Sequence, residues 1–298
     1  MVSPGRSRAL AHPRRPGSAR GVARSRAAGL PMDEIGGFSA STLILAFVSG
    51  CVVAVVTAPV GVSGAVFLLP VQLDLLRVPS PAVTPTNLLY NLVATPGALF
   101  RYGRAGAIDL RLTGQLLVGT VPGVAAGSIL RVYAAPGDRE FRLLAAAVLL
   151  ALGMWLCSGR GIRARPGWMT GTPLAITGLL VGVVGGIYGI GGGSLLGPML
   201  VGAGLSVARV APAAMASTLV TSTVGVGSYA LLSLFTSGPV RPDWAIGLSC
   251  GLGGLLGGYV GARLQPHLPE AVLRALLGTV AVGLAALYIL QASCLLGR

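Results

Sequence analysis

Hydroxyl and amide side chains gather at two places in an otherwise apolar sequence: Thr84, Thr86, Asn87, Asn91 and Thr95, then Ser217, Thr218, Thr221, Ser222 and Thr223. Asn87 and Asn91 stand four apart, as do Ser217 and Thr221, so on a helix each pair projects from one face. Each group follows a glycine-rich run that ends in proline, GVSGAVFLLP at 61–70 and GIGGGSLLGP at 189–198. A glycine costs a helix about 1 kcal/mol relative to alanine, so both runs read as breaks in a helical span. A break exposes amide N–H groups at the start of the half-helix beyond it, and with the helix dipole these can hold an anion without any charged side chain. Pro70 and Pro198 are expected to end or kink those half-helices. The chemistry on offer is neutral hydrogen bonding to a small oxyanion. The candidate binding residues are Gly61, Ser63, Gly64, Asn87, Asn91, Gly189, Gly191, Gly192, Gly193, Ser194, Ser217, Thr218 and Thr221. Two plainer readings compete: hydroxyls as interhelical hydrogen-bond glue worth about 0.6 kcal/mol per contact, and glycines as points of close helix packing. Packing is the preferred account of the G-x-x-x-G pairs Gly247/Gly251, Gly254/Gly258 and Gly257/Gly261.

Other chemistries lack their residues. An embedded enzyme would need a base or a metal set beside those hydroxyls, but the sequence has no lysine, and both histidines, His12 and His267, lie outside the apolar segments. No metal or cofactor is expected. A dinucleotide fingerprint needs an acid about 20 residues beyond its glycines, and none occurs between Glu140 and Asp243. Cys51, Cys157, Cys250 and Cys294 are scattered singly through apolar stretches, as small filler would be. Nucleic-acid binding is disfavoured as well, since aromatic residues are 5% of the chain and sit mostly inside apolar runs. Asp74 is the one acid inside an apolar segment, and its expected partner is Arg77 at the end of that segment.

The elements that must position these residues are membrane spans. The 298 residues are 53% hydrophobic and 10% charged, with mean hydropathy +0.80, far from a water-soluble domain. Apolar windows run at about 39–59, 62–76, 82–100, 112–134 and 141–158, then at about 173–188, 191–204, 212–235, 244–262 and 271–293. Most reach the roughly 20 residues a helix needs to cross the bilayer core, and the second and seventh do not. Long apolar runs without period-2 alternation exclude a barrel. The two sets match, with Gly61 over Gly189, Gly64 over Gly192, Leu68 over Leu196, Pro70 over Pro198, and Asp109 before the fourth segment answering Asp243 before the ninth. The expected fold is therefore an all-α polytopic bundle of two homologous repeats, 38–160 and 161–298, each with one short broken segment. Residues 1–37, with seven arginines and no hydrophobic periodicity, read as a disordered tail, and Met32 is a competing start. The tail arginines favour a cytoplasmic N-terminus. Eight full spans plus two short segments that do not cross would then place Arg101, Arg104, Arg111, Arg160, Arg163 and Arg165 inside as well; ten crossings would place them outside.

At these residues the sequence resembles the TauE/SafE family of sulfite exporters. The resemblance covers about 40–293 and rests on the duplicated glycine run ending in proline, the polar segment after it and the Asp-containing loop. It implies a secondary transporter of a small anion such as sulfite or an organosulfonate, embedded in a bacterial cytoplasmic membrane, with the anion and the lipid bilayer as its partners. The alternative is a membrane protein of structural or assembly role that transports nothing. The oligomeric state is not legible from the sequence.

Overall fold

In the computed structural model the residues described are 34–35, 38–134, 138–158, 171–203, 205–236 and 240–294. Among the described residues ten helices follow one another: α1 Ala40–Thr57, α2 Ala65–Pro70, α3 Ser80–Arg104, α4 Leu110–Tyr133, α5 Asp138–Ser158, α6 Thr172–Tyr188, α7 Gly193–Gly202, α8 Val207–Leu232, α9 Trp244–Leu264 and α10 Glu270–Cys294. A 3-10 turn, Ala58–Val60, closes α1, and a π turn, Val71–Leu75, follows α2. The only β pairing among the described residues is a two-residue antiparallel bridge, Glu34–Ile35 with Phe38–Ser39. Of the expected tail 1–37, Glu34 and Ile35 are thus paired; the rest of it, and the proposed repeat boundary at 160, lie outside the described residues.

Local signals set the helix limits. Ser39, Asp109 and Asp243 accept hydrogen bonds from the backbone N–H three residues on and so start α1, α4 and α9. Pro81 and Pro173 occupy the first turns of α3 and α6, where a missing N–H costs nothing. Pro70 ends the regular part of α2, as expected, whereas Pro198 lies inside α7, which runs four residues further. Four helical stretches among the described residues are long and apolar enough to cross a membrane: Ala40–Val60, Leu110–Tyr133, Val207–Leu232 and Trp244–His267. Their outward faces carry exposed Ile44, Val118, Leu231 and Leu252, as lipid contact requires. Helix α3 is absent from that set because its polar face, with Thr84, Asn87 and Asn91 fully or almost fully buried, lowers its hydropathy.

Close glycine contacts fix how the helices run. Gly253, Gly257 and Gly261 of α9 abut Phe47, Cys51 and Val55 of α1, and Gly247, Gly251 and Gly258 abut Leu89, Val93 and Ala98 of α3. Both series rise together, so α1 and α3 each run parallel to α9 and hence to each other. Likewise Gly119, Gly123 and Gly127 of α4 meet Ala175, Leu179 and Val183 of α6, while Asp109, Thr120 and Val124 of α4 meet Arg209, Ser217 and Gly225 of α8. Helices α6 and α8 therefore share one direction as well. The chain must turn back across the bundle between α1 and α3 and again between α6 and α8, and α2 and α7 carry those returns. This corrects the eight-span expectation, in which the short segments do not cross. Their length misled the reading: about 9 Å and 15 Å of helix fall short of a 30 Å core, but an extended glycine loop covers twice the distance per residue.

Candidate functional site

The two breaks have the same backbone form. Gly61 after the 3-10 turn has φ 75° and ψ 20°, and Gly189 after α6 has φ 73° and ψ 22°, a left-handed conformation that a side chain strains. A Cβ on Gly61 would lie 2.8 Å from the Cβ of Ala211 on α8, and one on Gly189 would lie 2.9 Å from the Cβ of Asn87 on α3. Each break thus packs against a helix from the other half of the chain.

Helix α3 ties both breaks down. Thr84 Oγ1 donates to the Ile187 carbonyl at 2.9 Å, Asn87 Nδ2 to the Ala65 carbonyl at 3.1 Å and Asn91 Nδ2 to the Gly189 carbonyl at 3.3 Å. Ser63 Oγ donates to Asn91 Oδ1. On the other side Gly192 N donates to Thr221 Oγ1 at 3.1 Å, the Ser194 and Thr218 hydroxyls are 3.4 Å apart, and Ser217 meets Thr120 of α4 at 3.4 Å. The two hydroxyl and amide patches face the two breaks, as their spacing predicts.

They do not do so equally. In the second half the glycines are filled by neighbours: a Cβ on Gly192 would lie 2.7 Å from Cγ2 of Thr120, one on Gly193 would overlap the carbonyl oxygen of Ala214, and one on Gly191 would lie 2.9 Å from Cγ2 of Thr218. The Gly192 amide is bonded to Thr221, and neighbouring helices pack closely against the glycines at 191–193. Asp74 is corrected: its ion-pair partner is Arg142 of α5, at 2.8 Å, a residue far from it in sequence but brought to the same end of the bundle.

The first half holds a small cavity of about 20 Å³, room for about one water, walled by α1, α3 and α9 with Met215 of α8 and bordered by the break itself. Of the predicted residues Ser63, Gly64 and Asn91 line it; Gly61, Asn87, Gly189, Gly191, Gly192, Gly193, Ser194, Ser217, Thr218 and Thr221 do not. Gly254 and Gly258, read as packing residues, line it too, while still abutting α3. Thr57, Tyr90, Thr95 and Met215 were missing from the candidate set. Thr57 is 2% exposed and its hydroxyl has no hydrogen-bond partner, whereas Thr95 Oγ1 donates to the Asn91 carbonyl of its own helix. The Tyr90 hydroxyl lies beside Gly64, where any side chain would displace it. No lining residue is charged. In such low-dielectric surroundings a neutral donor binds an anion more strongly than it does in water, and an idle one costs more.

Cys51, Cys157 and Cys250 are free thiols, and among the described residues no cluster of His, Cys, Asp or Glu could hold a metal. No curated protein matches the chain, and no solved structure does. One family model, described as sulfite exporter TauE/SafE, matches residues 46–288, from the second turn of α1 to the body of α10, and so covers all ten helices and both breaks. On that match the chain belongs to the TauE/SafE sulfite exporter family of multi-pass membrane anion transporters.

Proposed function

We propose that this protein is a secondary transporter of a small oxyanion, sulfite or a related organosulfonate, in the cytoplasmic membrane of a bacterial cell, and that the cavity between α1, α3 and α9 is where the anion binds. The observation that carries the reading is Thr57: a buried hydroxyl left without a partner, facing a small cavity lined by neutral polar groups that an anion would widen on entering. Thr57 Oγ1 shares this state with Asn87 Oδ1 and Ser222 Oγ, but of the three only Thr57 lines the cavity, where a ligand could serve it.

The same reading treats 38–160 and 161–298 as inverted repeats, α1 to α5 answering α6 to α10. Support comes from the paired left-handed glycines, the matched caps Asp109 and Asp243, and the opposite directions of α1 and α6. In transporters built this way the substrate site lies where broken segments meet near the bilayer midplane. With ten alternating segments the start of α1 and the end bearing Arg101, Arg104, Arg111, Arg209 and Arg263 lie at opposite ends of the bundle, so a cytoplasmic N-terminus and a cytoplasmic Arg101 face are alternatives. Arginines in short loops weigh most in orientation, so that second end faces the cytoplasm.

The test is flux in proteoliposomes with sulfite, sulfate and a panel of sulfonates, each as substrate and as competitor. Sulfite or a sulfonate should move and be competed by its relatives. Absence of flux for every anion, with protein folded and inserted, would refute the proposal.

A further inference from the structure

Toward the end of the bundle that carries Gln265, the cavity is separated from an open pocket by one turn of chain. The 3-10 turn contributes Ala58 to the cavity, and Pro59 and Val60 to a second pocket of about 250 Å³ whose other walls include Val207, Gln265 and Leu268. The Ala58 carbonyl accepts from the Gly61 N–H at 3.0 Å within the turn, and two side chains from elsewhere in the bundle add donors: Tyr102 of α3 donates through its hydroxyl to the Ala58 carbonyl at 3.0 Å, and Gln265 Nε2 donates to the Pro59 carbonyl at 2.7 Å. Two backbone bonds close the turn, Gly61 N–H to Ala58 and Val62 N–H to the Thr57 carbonyl at 3.3 Å, while Pro59 has no N–H to give and Gly61 beyond it is a left-handed glycine.

We propose that the Ala58–Val60 turn is the gate between the cavity and the Arg101/Arg263 face, with Tyr102 and Gln265 as the latch and the larger pocket as the vestibule. The inference rests on the reading of the cavity as the anion site. When the turn swings aside, the donor groups of Tyr102 and Gln265 lose their carbonyls and are left facing the passage, where an anion can take the place those carbonyls held. The groups that close the route are thus the groups that solvate the anion while it is open.

The test introduces a thiol on the cavity wall with Ala98→Cys and follows its reaction with a membrane-impermeant reagent added from the Gln265 side of reconstituted vesicles, with each cysteine resolved by mass spectrometry. Ala98 is 1% exposed, so the parent should react slowly. Tyr102→Phe and Gln265→Leu should each speed labelling at position 98 about fivefold, the equivalent of one lost hydrogen bond, and together they should do more. Gln265 is half-buried at the end of α9, and Gln265→Leu alone decides the matter if the double variant does not fold. Unchanged labelling in the folded variants, judged by melting temperature and gel filtration, overturns the gate. Faster labelling that sulfite does not slow keeps the gate and overturns the cavity as the anion site.

Discussion

The sharpest consequence of an idle hydroxyl is that removing it should help the protein and harm its function. Thr57→Val keeps the branched shape and deletes Oγ1, which is buried and makes no hydrogen bond. An unsatisfied buried hydroxyl costs about 1–3 kcal/mol, part of which water in the cavity recovers, so the variant should gain about 1 kcal/mol in the anion-free state. For a chain of this length that is a rise in melting temperature of about 2 °C. With the anion bound, the same hydroxyl would donate to a charged acceptor, a bond worth about 1.5–3 kcal/mol, so the variant should bind about 10- to 150-fold more weakly. The assay pairs thermal unfolding in detergent, with and without sulfite, with flux in proteoliposomes. Wild type should be stabilised by sulfite and Thr57→Val scarcely, although the variant melts higher without it. A structural role for Thr57 would move stability and flux down together, and that outcome would refute the reasoning.

Glycine positions offer a contrast of opposite sign: Gly193→Ala should lower the melting temperature or prevent folding, because its Cβ overlaps the Ala214 carbonyl, while Gly227→Ala, exposed in mid-α8 with nothing near it, should gain up to about 1 kcal/mol. Asp109 is held below the usual carboxylate range, first by the Leu112 amide and then by Arg209. A depressed pKa adds stability above the unfolded value, near 4, and loses it as pH falls through the folded one; wild type should therefore outlast Asp109→Asn in melting at pH 7, and the gap should close below about pH 4. The directions of the helices predict that thiols from Ala105→Cys and Thr172→Cys are labelled from one face of the membrane and a thiol from Arg241→Cys from the other, and labelling of the first two from opposite faces would contradict the arrangement.

What could be read in the sequence was local. Apolar runs, caps such as Asp109 and Asp243, and the glycine breaks are encoded within a few residues, and each helix begins and ends close to its window. Helix direction is a different matter, because whether α2 carries the chain back depends on the register of α1 and α3 against α9, contacts between residues some 150 to 200 apart. Nor does a glycine announce what occupies the space it leaves: the cluster at 191–193 is as consistent with a ligand as with Thr120, Ala214 and Thr218, and the fold chose the side chains. Thr57 was hidden for another reason. A lone hydroxyl in an apolar helix normally bonds to its own backbone, as Ser49 does to Leu45 at 2.7 Å, and only the tertiary structure reveals that Thr57 makes no such bond.

The difference between the halves follows from a few side chains. Aligning Gly61 with Gly189 sets Thr57 opposite Gly185 and Ser63 opposite Gly191. In the second half, glycine at both places lets the break fold down on α6, so closely that a Cβ on Gly185 would lie 2.9 Å from the Gly191 carbonyl group. In the first half a threonine and a serine stand at those places, with Tyr90 beside Gly64, and their polar side chains line the small cavity between the break and α1. The residues that hold the cavity open are therefore the residues that line it with hydrogen-bonding groups.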